Sequence, residues 1–331
     1  MRTTRLRSWT TLWLGLLWTA FGTLSSFAQE LPASHSVTPE FFVEGFTFAE
    51  GPAFDAEGNL YVVNYDGPGK IGKITPNGQA SVFCDLQELV PVEGRVSKAN
   101  GLKVDREGRI LAADDSAARL LRIAKDGKSC EILADTFDGQ PFHGLNDVAL
   151  DLAGNIFFTD PTGSNAEKTI GGVYRYDIQA GTVTQLDTGL AFPNGIAVSP
   201  DQTKLVVSES QLYRLLVYDL ATDGTVSNRR VLIQFPLETR VIDGVEWIGG
   251  KHDPDGLVFD TEGRIYVGMW TAGVVNVVDL ATGKWLRQYD AGGSQSTNCA
   301  FRDEYLYVTV AAKKAVFRLK LGVNGFDYRG R

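Results

Sequence analysis

The stretch Asn146-Asp147-Val148-Ala149-Leu150-Asp151-Leu152-Ala153-Gly154-Asn155-Ile156-Phe157-Phe158 decides the fold. Val148–Leu150 and Ile156–Phe158 are runs of mostly strand-forming residues. The five residues between them, with Gly154, have the composition of a hairpin turn. Downstream, Gly171-Gly172 introduces Tyr174-Arg175-Tyr176, and a turn at Gln179-Ala180-Gly181 leads to Val183-Thr184-Gln185-Leu186. The unit therefore reads as four short antiparallel strands. It recurs along the chain as EGPAFDAEGNLYV from Glu50, NGLKVDREGRILA from Asn100, NGIAVSPDQTKLVV from Asn194, DGLVFDTEGRIYV from Asp255 and a worn NCAFRDEYLYV from Asn298. The starts lie 50, 46, 48, 61 and 43 residues apart, a period that marks an array of supersecondary units.

Six four-stranded units with no long helical periodicity predict an all-β, six-bladed β-propeller with four antiparallel strands per blade. The segment Ser36–Glu44 is expected to close the ring as an outer strand against Ala315–Leu319. A solenoid is the rival arrangement, but the terminal repeats show no capping helices. In a closed ring each blade's first strand lies at the axis. The position that opens each repeat holds Glu, Asn, Asn, Asn, Asp and Asn, with no aliphatic residue. Arranged around an axis, these residues form a ring of carboxylate and amide oxygens suited to a hard cation. Asn or Asp before Gly is also a common turn pair. Six openers, Glu50 among them, favour the cation reading over the turn.

Composition limits the alternatives. The 331 residues are 44% hydrophobic and 22% charged, as expected of a folded chain. The net charge of −8 and the absence of a basic stripe argue against a nucleic-acid partner. Arg2, Arg5 and Arg7 precede an apolar stretch from Trp9 to Phe21, and Ser26-Phe27-Ala28 places small residues where a signal peptidase cuts. Residues 1–28 therefore read as a signal peptide and residues 29–331 as a single propeller. The chain is expected to be periplasmic or secreted, with no membrane association after cleavage. A membrane anchor is the rival, but the apolar stretch is short for a span. Cys84, Cys130 and Cys299 are odd in number and widely spaced. They read as small buried side chains, with a Cys84–Cys130 bridge open in an oxidising compartment.

The stretches FAEGPAFD, GLNDVALDLAGNIFFTDP, FPNGIAVSPD and PDGLVFDTEGRIYV, in this order, resemble the motifs of the senescence-marker protein/gluconolactonase/luciferin-regenerating-enzyme family. The resemblance covers essentially the whole chain after the leader. It implies a six-bladed propeller with one divalent cation, most often calcium, in the channel mouth, and hydrolysis of sugar-acid lactones. Related propellers hydrolyse organophosphates. It further implies that Glu50, Asn194 and Asp255 are metal ligands, that Asn146 binds the metal directly or through water, and that Asp255 is the general base. Asn100 is expected to line the substrate pocket.

Calcium takes six to eight oxygens in flexible geometry, so it suits this set best, with magnesium, manganese or zinc as alternatives. His143 and His252 each lie three residues before an opener. Either loop could carry a histidine over the mouth as a proton shuttle, and His143 is assigned to substrate binding. Trp247 and Trp270 are candidates for a sugar-facing or apolar wall, while Asp114-Asp115 and Asp160 read as structural strand ends. The insert Val241–Lys251 leaves the substrate open. No Gly-x-Ser-x-Gly elbow or dinucleotide fingerprint occurs. The expected function is metal-dependent opening of a small-molecule lactone. The alternatives are a non-catalytic binding propeller and an organophosphate or aryl-ester hydrolase using the same site.

Overall fold

The acidic residue that follows each inner strand explains the hairpins. Asp55, Asp105, Asp151 and Asp260 each use Oδ1 to accept the main-chain N–H of the residue four positions on, at 2.8–2.9 Å. This Asx geometry bends the chain. The glycine just before each donor (Gly58, Gly108, Gly154, Gly263) completes the bend at φ between 80° and 90°, where a side chain is disfavoured. In the computed structural model, Met1 and residues 29–242, 244–247 and 253–329 are described. The expected signal peptide (residues 2–28) and His252 lie outside the described residues.

Six four-stranded antiparallel sheets follow one another along the chain. Their inner strands are Phe46–Phe54, Ala99–Val104, Val148–Leu150, Pro193–Val198, Pro254–Phe259 and Ser296–Arg302. Each packs against the next, and the last against the first, so the inner strands enclose a central channel. The second strands are buried on both faces, as in Arg264–Met269 and, beyond its half-buried first residue, Lys204–Glu209. They are sandwiched between neighbouring blades, so their sequences run apolar without alternation. Outer strands such as Val226–Gln234 are largely exposed. Between the first two blades, Ile71, Leu86, Leu102, Ile110 and Leu121 form one cluster, each residue 0–1% exposed. Burial of each such side chain is worth about 1.5–3 kcal/mol.

The predicted seam is present. Glu40–Glu44 pairs antiparallel with Ala315–Lys320 as the outermost strand of the sixth blade. Arg318 bonds Glu40 at 2.9 Å and lies over the Phe42 and Tyr305 rings. All three cysteines are free thiols, Cys84 and Cys299 buried and Cys130 half-buried, so the open Cys84–Cys130 bridge is not formed. Part of the 241–251 insert is a short hairpin, Arg240–Ile242 with Val245–Trp247.

The ring also has a second closure. The C-terminal segment runs across the channel end opposite the openers. Gly325 bridges to Asp260, Phe326 N–H donates to Phe259 O, and Tyr328 Oη donates to Val198 O at 2.9 Å. Arg329 donates to Phe54 O, and Arg106 donates to both Arg329 O and Leu152 O. A Cβ on Gly325 would lie 2.1 Å from the Phe301 side chain, so only glycine passes there. The strap thus touches elements of all six blades and covers a cavity of about 120 Å³.

Candidate functional site

Every inner strand but the third loses its register at the opener position. The pairing breaks between Ala99 and Leu102, Pro193 and Ile196, Pro254 and Leu257, and on both sides of Glu50. A bulge re-aims a side chain and interrupts the ladder. Here it directs the opener into the channel mouth. The sequence places the openers just before the strands, but four of them lie within the strands at these breaks. Asn146 alone precedes its strand, with its N–H held by Thr159 O at 2.9 Å.

The glycine after the opener is explained by close approach more than by a turn. A Cβ on Gly101 would lie 2.2 Å from Asp147 Oδ1, one on Gly195 2.3 Å from Asp255 O, and one on Gly256 2.0 Å from Asn298 Cγ. Two blades carry a side chain where the others carry this glycine. Asp147 does so in the third blade and Asn298 in the sixth. The worn sixth copy is therefore displaced by one residue from the sequence reading. Thr297 stands at the opener position and lines the mouth, and Asn298 lies in the layer beneath.

Glu50, Asn100, Asn146, Asn194 and Asp255 line one cavity of about 250 Å³. The Oδ1 atoms of Asn100, Asn146 and Asn194 are buried and have no hydrogen-bond partner. Buried polar atoms are nearly always paired, and leaving one unpaired costs about 1–3 kcal/mol. Three such oxygens facing one cavity beside two carboxylates form a donor set matched to a hard divalent cation. In this setting Asn100 is equivalent to Asn146 and Asn194.

The carboxylates are held apart from water. Glu50 is 2% exposed and its carboxylate accepts from Gly51 N–H at 2.9 Å and from Asn298 Nδ2 and Thr309 Oγ1, each at 3.4 Å. Burial, then the nearby Asp147 charge, pushes the Glu50 carboxyl up to about 7. Burial, then Glu50 and Asp147, also raises Asp255 well above the usual carboxylate range. Asp147, missed as a site residue, accepts from Val148 N–H at 2.9 Å and Ile196 N–H at 3.4 Å. Its pKa is raised by burial and opposed by the Lys103 charge. Replacement of the expected glycine by Asp in the third copy is the signal that could have found it.

The remaining wall is aromatic. Phe48, Phe192 and Trp270 line the cavity, with Ser210, Gln211 and Asp253. Trp270 is thus placed as one of the two wall candidates. Trp247 instead packs on Trp285, 4.1 Å between ring centroids, away from this cavity. His143 also lies apart from the lining: its ring is 55% exposed and Nδ1 is 3.2 Å from Asp160 Oδ2. Asp160 also accepts the N–H groups of His143 and Gly144, and Asp114 accepts those of Lys98 and Ala117. Both carboxylates are loop anchors, as expected. Phe48 and Phe192 each stand two residues before an opener, a pattern legible in FAEG and FPNG.

Comparison with known proteins agrees with the six-bladed fold. The chain is 27% identical over 317 residues to the gluconolactonase of Zymomonas mobilis, covering 90% of this chain and 86% of that protein. It is 27% identical over 300 residues to the diisopropyl-fluorophosphatase of Loligo vulgaris, covering 84% and 90%. The calcium-binding protein regucalcin from Agrobacterium tumefaciens superposes with a TM-score of 0.70 at 22% identity, over 91% of this chain and 98% of that one. Residues 48–312 match the SMP-30/Gluconolactonase/LRE-like region, and the chain belongs to that family.

Proposed function

We propose that the chain is a divalent-cation-dependent lactone hydrolase whose centre is the opener ring. The observation that carries this reading is the set of three buried, unpartnered amide oxygens facing one cavity with Glu50 and Asp255. Glu50, Asn146, Asn194 and Asp255 would hold the cation, with Asn100 beside them. Calcium fits this all-oxygen, mixed-charge set best, and regucalcin is named as a calcium-binding protein. When bound, such a cation supplies Lewis acidity toward a carbonyl oxygen and its developing negative charge.

The residues supply the rest. Asp255 takes the proton from a water as the water oxygen bonds to the lactone carbonyl carbon. The ring C–O bond then breaks, and the same proton passes to the departing ring oxygen, giving a hydroxy acid. Glu50 stays in place through its bonds to Gly51 and Asn298. The gluconolactonase and fluorophosphatase names of the relatives both describe hydrolysis at an electrophilic centre bearing a polar oxygen. The neutral lactone is the favoured substrate class, with the processed chain acting in an exported compartment.

The test is acid release from a lactone by pH-stat, before and after chelation and calcium return, with the melting temperature followed in parallel. Activity and thermal stability are expected to fall together and to recover together. Retained turnover in metal-free protein would refute the cation's role. A rise in melting temperature on calcium addition with no turnover on any lactone or fluorophosphate would favour a binding propeller.

A further inference from the structure

Beside the opener residues this cavity carries a second kind of lining, in which Phe48, Phe192 and Trp270 stand with Ser210, Gln211 and Asp253. Phe48 and Trp270 stand side by side, 5.9 Å between ring centroids with planes 33° apart. Phe48 is 38% exposed and Trp270 half-buried, so neither ring is absorbed into a blade core. Exposed aromatic area at a concave mouth marks a surface that something apolar covers.

Phe192 adds a third ring from the fourth blade. It has φ of 59°, a region that bulky side chains avoid. The surrounding bonds hold it there. Ala191 N–H donates to the Glu209 carboxylate at 2.8 Å, Phe192 N–H donates to Ser164 Oγ, and Phe192 O accepts from Ser210 N–H. Backbone strain maintained by this many contacts is characteristic of functional positions. The contacts maintain an aromatic ring at the mouth.

The wall hydroxyls are already committed. Ser210 Oγ donates to Pro254 O at 2.6 Å, and Thr297 Oγ1 donates to Ala49 O at 2.9 Å. A polyhydroxylated body would press hydroxyl groups against three rings, and on that side only Gln211, Asp253 and the free lone pairs of Ser210 and Thr297 could replace lost water partners. An alkyl or aryl body would lose only unfavourable hydration. Asp253 also stands at the mouth, outside the proposed ligand set, so an anionic body would meet like charge there.

We propose that the site takes a neutral lactone whose ring carbonyl faces the opener residues and whose ring bears an apolar chain or aryl group held between Phe48, Phe192 and Trp270. This rests on the lactonase reading above and assigns it a substrate class other than the sugar-acid lactone.

The experiment compares full-length protein, calcium-saturated, on six-membered lactones bearing methyl, propyl and pentyl substituents, and on glucono-1,5-lactone. Each added methylene is expected to raise kcat/KM about 4-fold until the cavity is filled. The pentyl lactone should exceed glucono-1,5-lactone by at least about 100-fold. Trp270→Ala and Phe192→Ala should each reduce that ratio by about 10-fold or more. A second arm measures calorimetric binding of 2-pentylcyclohexanone, which cannot be hydrolysed, against glucose. Tighter binding of the ketone, weakened by Trp270→Ala, supports the aromatic site even if no lactone is opened, in which case the lactonase reading alone fails. A preference for glucono-1,5-lactone, or ratios unmoved in both aromatic variants, overturns the inference.

Discussion

The two ends of the channel are made by the same six blades and are opposite in kind. At the opener end, three amide oxygens are buried without partners, carboxylates crowd together, and Phe192 occupies a disfavoured backbone region. At the other end, the C-terminal strap gives hydrogen bonds to Val198, Phe54 and Phe259 carbonyls and covers the channel with Phe326 and Tyr328. One end departs from ordinary satisfaction of polar groups and the other completes it. Departures of this kind are tolerated where function needs them and are supported by well-paired structure elsewhere. The proposed chemistry thus belongs to one mouth, and the strap closes the other.

The largest contrast between the ends is catalytic. Asp255→Asn keeps an oxygen at the site and removes the proposed base, so kcat at saturating calcium should fall by about 10²–10⁴, the usual contribution of general acid–base catalysis. A pH-stat turnover close to that of the unaltered protein would make Asp255 a ligand only.

Charge crowding at the opener end should appear next, as a pH effect on metal-free protein. Glu50 is pushed up from 4.5 to about 7 in the folded state, so between those values the folded chain holds a proton that the unfolded chain has lost. Stability of the chelated protein should therefore fall as pH rises through this window, by roughly 3 kcal/mol for this group. Urea midpoints measured at pH 4.5 and 7.5 test the sign. Calcium should flatten the slope, because it stabilises the form in which the carboxylate is charged.

At the closed end, Tyr328→Ala removes a half-buried ring and a hydrogen bond, and should cost about 2 kcal/mol of stability. Calcium-saturated kcat should not move. A loss of turnover comparable to that from Asp255→Asn would show that the ends are coupled.

The smallest effect concerns the strain itself. Phe192→Gly and Phe192→Ala both delete the ring, but only glycine relaxes at φ 59°. The glycine variant should be about 1–2 kcal/mol more stable than the alanine variant. Equal melting temperatures would place the loop in an unstrained conformation.

Legibility of the site followed the physics of repetition. Glu50, Asn146, Asn194 and Asp255 were readable because the same position recurs in each repeat with oxygen-bearing residues. Asn100 was read as pocket lining, and its environment proved equivalent to that of Asn146 and Asn194. The sixth repeat was misplaced by one residue because Asn298 mimics an opener in sequence, whereas the register break falls at Thr297. The His143 ring faces Asp160, a pairing across a loop that linear spacing does not encode. Phe48 and Phe192 sat inside quoted motifs, yet an aromatic near a strand is usually core, and only their exposure at the mouth distinguishes them.

Sequence alone determined the blade count, the four-strand unit, the seam of Ser36–Glu44 against Ala315–Leu319, which the structure trims to Glu40–Glu44 against Ala315–Lys320, and the chemical type of the ring. Alternating turn and strand chemistry is local, and repetition multiplies its signal. The tertiary structure alone decided which side chains share the mouth, why Gly101 and Gly256 must be glycine, and where the C-terminal strap lies. Those features depend on atoms from blades far apart in sequence meeting within a few ångströms at the axis, a proximity created only when the ring closes.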